Sequence, residues 1–329
     1  MYGWQVAALA LSIIAVLAIA IFFAWLVTRA WQTRSAIVKW PGVVASGLLA
    51  IVLGLVGIVG LVGFYRLYWP QGSPPPAIEA ASTQDRIARG ERLAYLCAGC
   101  HSTNQGLPLS GGDNIAEGFG SIYPANLTPG GRLREWTDGE LIRAIREGVD
   151  RAGRPLIIMP SASFHGMSDD DVQSVVAFLR SQPAVVRETP EGSLSLLGAL
   201  IIGSGMFPTS VQPPITGPVT GPPRGPTAEY GNYVVALAAC RDCHGPGLTG
   251  GTGGFTPSGP NLTAIVPGWT DAQFIATLRT GTEPSGHRLD PEQMPWEGFS
   301  AAFGDDELRA IYAYIRSLPQ QAQTGAMTH

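Results

Sequence analysis

The chain has 329 residues, of which 45% are hydrophobic and only 14% charged, whereas about 25% of the residues in an average soluble domain are charged. This composition excludes a disordered chain and disfavours a purely soluble protein. The 21 basic residues are scattered and outnumbered by 25 acidic ones, which argues against nucleic acid as a partner. Every acidic residue follows position 78, so an apolar and weakly basic N-terminal quarter precedes an acidic region.

Two stretches without charge, residues 6–27 and 43–65, are each long enough to cross a bilayer. A cleaved signal peptide is the alternative for the first stretch, but its leader carries no positive charge. The connection between the stretches has three basic residues and no acidic one: Arg29, Arg34 and Lys39. The positive-inside rule places this connection in the cytoplasm. Residues 1–70 are therefore predicted to form a two-helix transmembrane hairpin in a bacterial cytoplasmic membrane, followed by a periplasmic or extracellular region.

The second stretch carries a glycine at every third position, a pattern that favours close contact with another helix. These residues are Gly54, Gly57, Gly60 and Gly63. A further apolar segment, residues 194–207, is too short to span a membrane. It is expected either to cover an interface between domains or to lie on the membrane surface.

Beyond a Pro/Ser-rich linker the chain matches itself. Five landmarks recur at separations of 133 to 136 residues: Asn126, Trp136, Met159, Phe164 and Pro183 correspond to Asn261, Trp269, Met294, Phe299 and Pro319. Two homologous domains are therefore predicted. The full division is an anchor at 1–70, a linker at 71–83, a first domain at 84–184, a Pro/Gly-rich linker at 185–225, a second domain at 226–320 and a tail at 321–329.

Three helices are predicted in each copy, and no stretch has the alternation of a strand, so the expected fold class is all-α. The first helix runs into a cysteine motif. The second follows Thr137 or Thr270, and the last begins after Ser168 or Gly304 and ends before a proline. Gly90 and Gly231 are expected to let the first helix cross the last one closely, against Phe178 and Tyr314.

The four cysteines form two CxxCH motifs, the pattern of covalent c-type haem attachment. Two thiols on one helical turn reach the two vinyl groups of a porphyrin, and the next residue directs an imidazole at the iron. The motifs are Cys97, Cys100 and His101 in the first copy and Cys240, Cys243 and His244 in the second. A single four-cysteine zinc site, a thiol redox site and ordinary disulfides are the alternatives. We expect two covalently bound haem c groups.

The sixth iron ligand is expected to be a methionine, since only Met159 and Met294 align between the copies. The other candidates are expected to be a core residue, Met167, and two surface residues, His165 and His287. Each copy also has an aromatic candidate for a hydrogen bond to a haem propionate, Trp136 or Trp269, with a core role as the alternative. Arg154 and Arg288 are expected either to pair with propionates or to be solvated.

Both copies resemble class I cytochrome c domains. The first resembles the membrane-associated cytochrome c subunit of quinoprotein alcohol and gluconate dehydrogenases through SIYPANLTP, WTDGELIRAIREGV, RAGRPLIIMP and MSDDDV. The layout also resembles the dihaem subunit of high-affinity haem–copper oxidases. The resemblance implies an electron-transfer protein or subunit, without catalytic side chains of its own.

The function expected is that of a membrane-tethered dihaem cytochrome. It would carry electrons between a respiratory or photosynthetic membrane donor, or a dehydrogenase, and a terminal acceptor such as an oxidase. The alternative is a dihaem redox enzyme of the peroxidase or thiosulfate dehydrogenase type, which two aligned methionines disfavour because it needs an open or unusual iron site. The expected partners are the membrane and either other subunits of a respiratory complex or a soluble redox protein. The acidic region would attract such a protein if it were basic.

Overall fold

The computed structural model describes residues 3–207, 209–251 and 257–320, and the tail predicted at 321–329 lies outside them. The described part is largely helical, which confirms the all-α fold class. Its α-helices are α1 (Gly3–Trp31), α2 (Ala36–Tyr68), α3 (Gln84–His101), α4 (Asp138–Glu147), α5 (Ser161–Phe164), α6 (Asp169–Ser181), α7 (Leu196–Ser204), α8 (Ala228–Leu237), α9 (Cys240–His244), α10 (Leu262–Ile265), α11 (Asp271–Thr280), α12 (Trp296–Ala302) and α13 (Asp305–Ser317). Short 3₁₀ turns occupy Arg132–Glu135 and Val266–Gly268, and strand β1 (Gly120–Ser121) pairs antiparallel with β2 (Ser193–Leu194).

Helices α1 and α2 form a hairpin joined by a short turn, and both are long and apolar enough to cross a membrane. At the turn, the Trp31 and Trp40 rings meet edge to face at 5.8 Å. The predicted glycine ridge on α2 is confirmed at three of its four positions. A Cβ on Gly57 would collide with the Leu17 side chain of α1, and one on Gly60 would lie 3.3 Å from Ile13 of the same helix. A Cβ on Gly63 would collide with the Ala199 carbonyl of α7, whereas one on Gly54 would meet none of the described residues within 4 Å. Helices α1 and α2 therefore approach closely where Gly57 and Gly60 lack side chains.

The terminal helices of each copy cross as predicted, α3 over α6 and α8 over α13. A Cβ on Gly90 would collide with the Ser174 carbonyl, and one on Gly231 with the Ala310 carbonyl. The predicted N-caps are also present. Thr137 forms a capping box with Glu140, which satisfies two backbone donors at the start of α4.

The prediction that the first helix runs into the cysteine motif is correct for the first copy and wrong for the second. Helix α3 is continuous through the motif, whereas α8 ends at Leu237 and the motif forms a separate helix, α9. Ala239, between them, adopts a left-handed conformation with φ of 53°. The second copy has two more residues between its crossing glycine and its first cysteine. In a continuous helix these two extra residues would rotate the motif about the helix axis by about 200°. The break after Leu237 compensates for this rotation.

The two domains pack on each other reciprocally. Helix α12 of the second domain contacts α3 of the first, and α5 of the first contacts α8 of the second. Each of these contacts joins the short helix after a Met-Pro pair to the N-terminal helix of the other domain. The buried apolar side chains of both domains form a single core as a result.

A buried polar cluster lies at the centre of this interface. Arg89 is 4% exposed and directs its Nε at Asp171 Oδ1, 2.9 Å away in its own domain. Its two terminal nitrogens donate to Glu307 and to the Tyr230 hydroxyl, both of the second domain. The two carboxylates occupy equivalent places in the first turns of α6 and α13.

The residues one helical turn further on complete the cluster with the same symmetry. Arg92 of α3 donates to Glu307 at 3.3 Å, and Tyr233 of α8 donates to Asp171 at 2.8 Å. Burial by itself raises the pKa of the Asp171 carboxyl, but the hydrogen bond and charge of Arg89 lower it overall. The carboxylate therefore stabilises the fold above the ordinary Asp pKa of about 3.9, and this contribution is lost as the pH falls below that value.

Both predicted linkers are bound along the first domain. In residues 71–83, the Gln71 N–H donates to the Gly153 carbonyl at 2.8 Å and the Ala80 N–H donates to Asp138 at 2.9 Å. In residues 185–225, the Val219 N–H donates to Asp169 at 3.1 Å. The first domain is consequently bound by both linkers, the first of which follows directly from α2.

Replacing Arg89 by Met should lower the free energy of unfolding by about 3–5 kcal/mol, since it removes the buried cation that both carboxylates share. Glu307 then keeps only the half-exposed Arg92, and Asp171 only the half-exposed Arg224. The measurement is denaturant unfolding of the full chain in detergent. The control is Arg309→Met, which removes a pair with Asp306 at 2.9 Å from a position 42% exposed; its loss should stay below about 1 kcal/mol. Similar small losses in both variants would show that the cluster does not hold the domains.

Candidate functional site

The first CxxCH motif occupies the last turn of α3, so its side chains emerge from one end of a rigid helix. The His101 Nδ1 lies 2.8 Å from the Ala125 carbonyl oxygen. A carbonyl only accepts, so Nδ1 carries the proton and Nε2 keeps its lone pair. This is the arrangement that fixes the tautomer and ring direction of a metal-binding histidine.

The second motif has the same construction on α9. The His244 Nδ1 lies 2.9 Å from the Pro260 carbonyl oxygen, and the residue is 6% exposed. Gly259 lies beneath the ring, and a Cβ there would come within 2.6 Å of the imidazole Nδ1. The absence of a side chain at Gly259 therefore allows the His244 ring to pack closely against the backbone.

The glycine pairs of the motifs PLSGG and GLTGG, which recur in both copies, have a role that the sequence alone did not reveal. The Gly111 N–H donates to the His101 carbonyl, and the Gly250 N–H donates to the His244 carbonyl, each at 2.9 Å. Both glycines have positive φ, of 98° and 107°. Their repetition after each motif was the signal that could have identified them.

The asparagine of each NLT motif follows the carbonyl that holds the histidine. Asn126 accepts from the Thr128 N–H and hydroxyl and donates to the Val185 carbonyl. Asn261 accepts from Thr263 in the same way, at 2.8 Å. These bonds fix the loop that presents the acceptor carbonyl to the imidazole.

Burial favours the neutral form of both histidines. The pKa of each imidazole is lowered, because burial disfavours the charged ring more strongly than the hydrogen bond to a carbonyl favours it. The neutral imidazole is the form that binds a metal. None of the four cysteines is joined to another in a disulfide. The residues present thus fit covalent haem attachment, with two available thiols and one neutral, oriented histidine per motif.

A four-cysteine zinc site has no geometric support. The two cysteine pairs lie on separate helices, α3 and α9. Within residues 3–207, 209–251 and 257–320, no group of three or more His, Cys, Asp or Glu side chains is placed to hold a metal ion.

The candidate axial methionines, Met159 and Met294, are both partly buried against the core, immediately before the prolines that start α5 and α12. Met167 is 3% exposed within the core itself. The His165 Nδ1 lies 3.1 Å from the Arg146 carbonyl, and His287 is exposed. The assignment of Met159 and Met294 as ligands stays a prediction.

The aromatic candidates Trp136 and Trp269 are partly buried against the core. Arg154 forms an ion pair with Asp150 at 2.7 Å, and Arg288 is exposed.

Trp296, the residue after Met294-Pro295, is a further candidate that the sequence alone did not identify. Its indole Nε1 is buried and lacks a hydrogen-bond acceptor among the described residues. Its ring covers Gly281, where a Cβ would collide with it. This donor is available to an acceptor group outside the protein chain, as a haem carboxylate would be. The sequence signal for this residue was that an aromatic side chain follows the Met-Pro pair in the second copy only.

Comparison with known families agrees with this geometry. Residues 87–183 match the family model of cytochrome c, and residues 226–315 match the model described as cytochrome c oxidase, cbb3-type, subunit III. The chain thus carries two cytochrome c domains and two covalently bound haem c groups.

Curated relatives point to the same class of protein. The cytochrome subunit of a fructose dehydrogenase from Gluconobacter japonicus is 26% identical over 78% of this chain and 57% of its own length. The cytochrome c subunit of a quinone alcohol dehydrogenase from Gluconobacter oxydans is 28% identical over 73% and 57%. A dihaem c-type cytochrome from Cereibacter sphaeroides is 26% identical over 74% and 89%. The chain spans little more than half the length of the two dehydrogenase subunits.

Replacing Gly259 by Ala should displace the His244 ring and change the absorption spectrum of one of the two haems, or lower its incorporation. The change is measured by comparing the pyridine haemochrome content and the visible spectrum of the variant with those of the parent. Gly268→Ala is the control, because a Cβ at that position has no neighbour within 4 Å. A Gly259→Ala protein with the parent's spectrum and haem content would contradict the role assigned to this glycine.

Proposed function

We propose that the protein is a membrane-tethered dihaem cytochrome c that accepts electrons from a dehydrogenase or another membrane donor and delivers them to a terminal acceptor such as an oxidase. The observation that carries the proposal is the duplicated site. Two histidines with a fixed Nδ1 and an available Nε2 stand beside cysteine pairs, in domains packed on each other. Haem supplies one-electron redox chemistry when bound, and the protein contributes attachment, ligation and positioning.

In this proposal Cys97 and Cys100 attach the first haem, and His101 and Met159 hold its iron. Cys240 and Cys243 attach the second, with His244 and Met294 on the iron. A His/Met pair favours a fairly positive potential. Delivery toward an oxidase fits such potentials better than acceptance from a strongly reducing donor. Trp136 and Trp269 are proposed donors to the haem carboxylates.

The interface supports electron exchange within the chain. Both Met-Pro segments lead into the helices that pack on the other domain, α5 on α8 and α12 on α3. Helix α3 in turn carries the first haem-attachment motif. Each proposed site therefore borders the opposite domain, and the Arg89 cluster holds that arrangement.

The proposed location is the bacterial cytoplasmic membrane, with both cytochrome domains on the periplasmic or extracellular face. The positive charges lie at the end of the hairpin where α1 meets α2, and the Lys39 ammonium lies over the Trp31 ring at 4.1 Å. Covalent haem attachment outside the cytoplasm agrees with this orientation. At the other end of the hairpin, Tyr65 and Trp69 stack at 5.6 Å, as interfacial aromatics do.

The proposed partner is a neighbouring subunit or a soluble redox protein, and the acidic residues at helix starts are poor candidates for its docking site. Arginines of the same chain already pair with Asp169 and Asp305, each at 2.8 Å or less, and with Asp171. A basic partner would thus respond to the net charge of the region rather than to a free acidic cluster. The relatives named as dehydrogenase subunits make a dehydrogenase the first donor to test.

Replacing Met159 or Met294 by His should each remove about half of the weak red absorption band of Met-ligated ferric haem and lower one of two midpoint potentials, because a second imidazole replaces the thioether. Optical redox titration of the purified full chain measures both quantities. Met167→Leu is the control, a volume-conserving change in the core. Loss of the band in the control, with retention in Met159→His, would overturn the ligand assignment.

The orientation predicts opposite results for reporter fusions on the two sides of the hairpin. A fusion after residue 35 should be active with a cytoplasmic reporter, and one after residue 80 with a periplasmic reporter. A cytoplasmic signal after residue 80 would contradict both the topology and the route to haem attachment.

A further inference from the structure

We propose that α7, the apolar helix between the two cytochrome domains, inserts into the outer leaflet of the membrane and contacts lipid acyl chains. This inference rests on the proposed anchor, since it places α7 by its contact with α2. It goes beyond that proposal because it adds a lipid-binding surface outside the two spanning helices.

Helix α7 packs directly on α2 through glycines of both helices. A Cβ on Gly63 would collide with the Ala199 carbonyl, and a Cβ on Gly203 would collide with the Val59 carbonyl. The Arg66 guanidinium also donates to the Ile202 carbonyl at 2.9 Å. The contact is therefore a close backbone approach, supported by a hydrogen bond to the C-terminal part of α7.

The contact with α2 sets the depth of α7. Val59 and Gly63 precede Tyr65, the last residue of the charge-free stretch, by six and two positions. At 1.5 Å per residue, α7 meets α2 about 3–9 Å inside the apolar end of that helix. An interfacial helix buries its apolar face about 5–10 Å into the boundary between headgroups and acyl chains. The depth given by the contact is the depth expected for such a helix.

The composition of α7 excludes a water-exposed outer face. Its sequence, LLGALIIGS, has no charged residue, and only Gly198, Ala199 and Ile202 are buried. A helix that is apolar on all sides is either buried in protein or in lipid. The side against α2 is covered by protein, whereas Leu197 is 51% exposed and Met206, just beyond the helix, is 66% exposed.

The first domain extends this apolar surface. The Ser195 N–H and hydroxyl, at the N-cap of α7, both donate to the Phe119 carbonyl, at 2.9 and 2.8 Å. Phe119 and the nearby Ile115 are 41% and 40% exposed. Among the described residues after Trp69, the large hydrophobic side chains left exposed are Ile115, Phe119, Val186, Leu197 and Met206. Leu197 lies in α7 and Met206 just after it, and Phe119 is hydrogen-bonded to its N-cap. With Ile115, four residues before Phe119, we call these side chains the α7 patch.

Lipid is the occupant that the position of the patch favours. The patch is continuous with α2, whose outward side chains are themselves apolar and exposed along the proposed span. A protein partner would have to enter the leaflet to cover it. With α7 in the leaflet, the first domain stands on the membrane in one orientation.

The test uses nitroxide labels on the holoprotein reconstituted into liposomes, with cysteine introduced at Leu197. Native cysteines are consumed by haem attachment, so the new thiol is the labelling site. Collision of the label with oxygen, which concentrates in lipid, is compared with collision with a water-soluble nickel chelate. The Leu197 label should show an oxygen-to-nickel ratio several-fold above that of a label at Val186, which is 92% exposed.

A third label, at Leu48 on the exposed side of α2, separates the two proposals. A lipid-type ratio at Leu48 with a water-type ratio at Leu197 would overturn the inference about α7 and leave the anchor intact. A water-type ratio at Leu48 would overturn the proposed anchor itself. Low collision with both reagents at Leu197 would show a protein-covered patch and would also refute lipid contact. A label at Phe119 repeats the test if the Leu197 variant loses haem.

Discussion

The guanidinium of Arg89 lies at a position 4% exposed and binds carboxylates that belong to different domains. Burial by itself lowers the pKa of this group, but the hydrogen bond and charge of Asp171 and the charge of Glu307 raise it above its ordinary value. A buried cation of this kind is stable only with all of its partners in place. Since Asp171 starts α6 and Glu307 lies at the start of α13, the cluster fixes the two terminal helices relative to each other. The reciprocal packing of α5 and α12, and hence the placement of the Met-Pro segments, depends on that geometry.

The features that the sequence predicted correctly are those with a local or repeated signal. The caps at Thr137 and Ser168 are set by residues three positions apart, and the structure contains both. Gly90 and Gly231 recur because both helix crossings leave no room for a Cβ. The CxxCH motifs dictate their own arrangement on one helical turn, and each lies within a single helix. The choice of Met159 and Met294 as iron ligands, made by comparing the two copies, stays a prediction.

The features that the sequence could not predict depend on contacts between distant segments. Arg89 and Tyr230 occupy equivalent positions before their crossing glycines, yet one is a cation and the other a phenol. They differ because the symmetric interface needs only one guanidinium at its centre, and a self-comparison detects only similarity. The binding of residues 71–83 to the first domain was not predictable either, because it depends on contacts with distant segments. Their prolines favour extended backbone, but the sequence did not reveal the surface along which they lie.

The attachments of the first domain make the molecule a continuous unit from the hairpin outward. Residues 71–83 lie on that domain, β2 pairs with its β1, and α7 packs on α2. The second domain is then held by the Arg89 cluster and the shared core, so neither domain swings freely on a tether. In the proposed electron carrier, the redox partner must therefore bind a fixed surface. The acidic residues that begin α6 and α13 are engaged in ion pairs, so charge can steer a partner toward the region but does not mark a docking point. Specificity for the partner must then come from the shape and hydrogen-bonding groups of whichever surface the membrane and the other domain leave open.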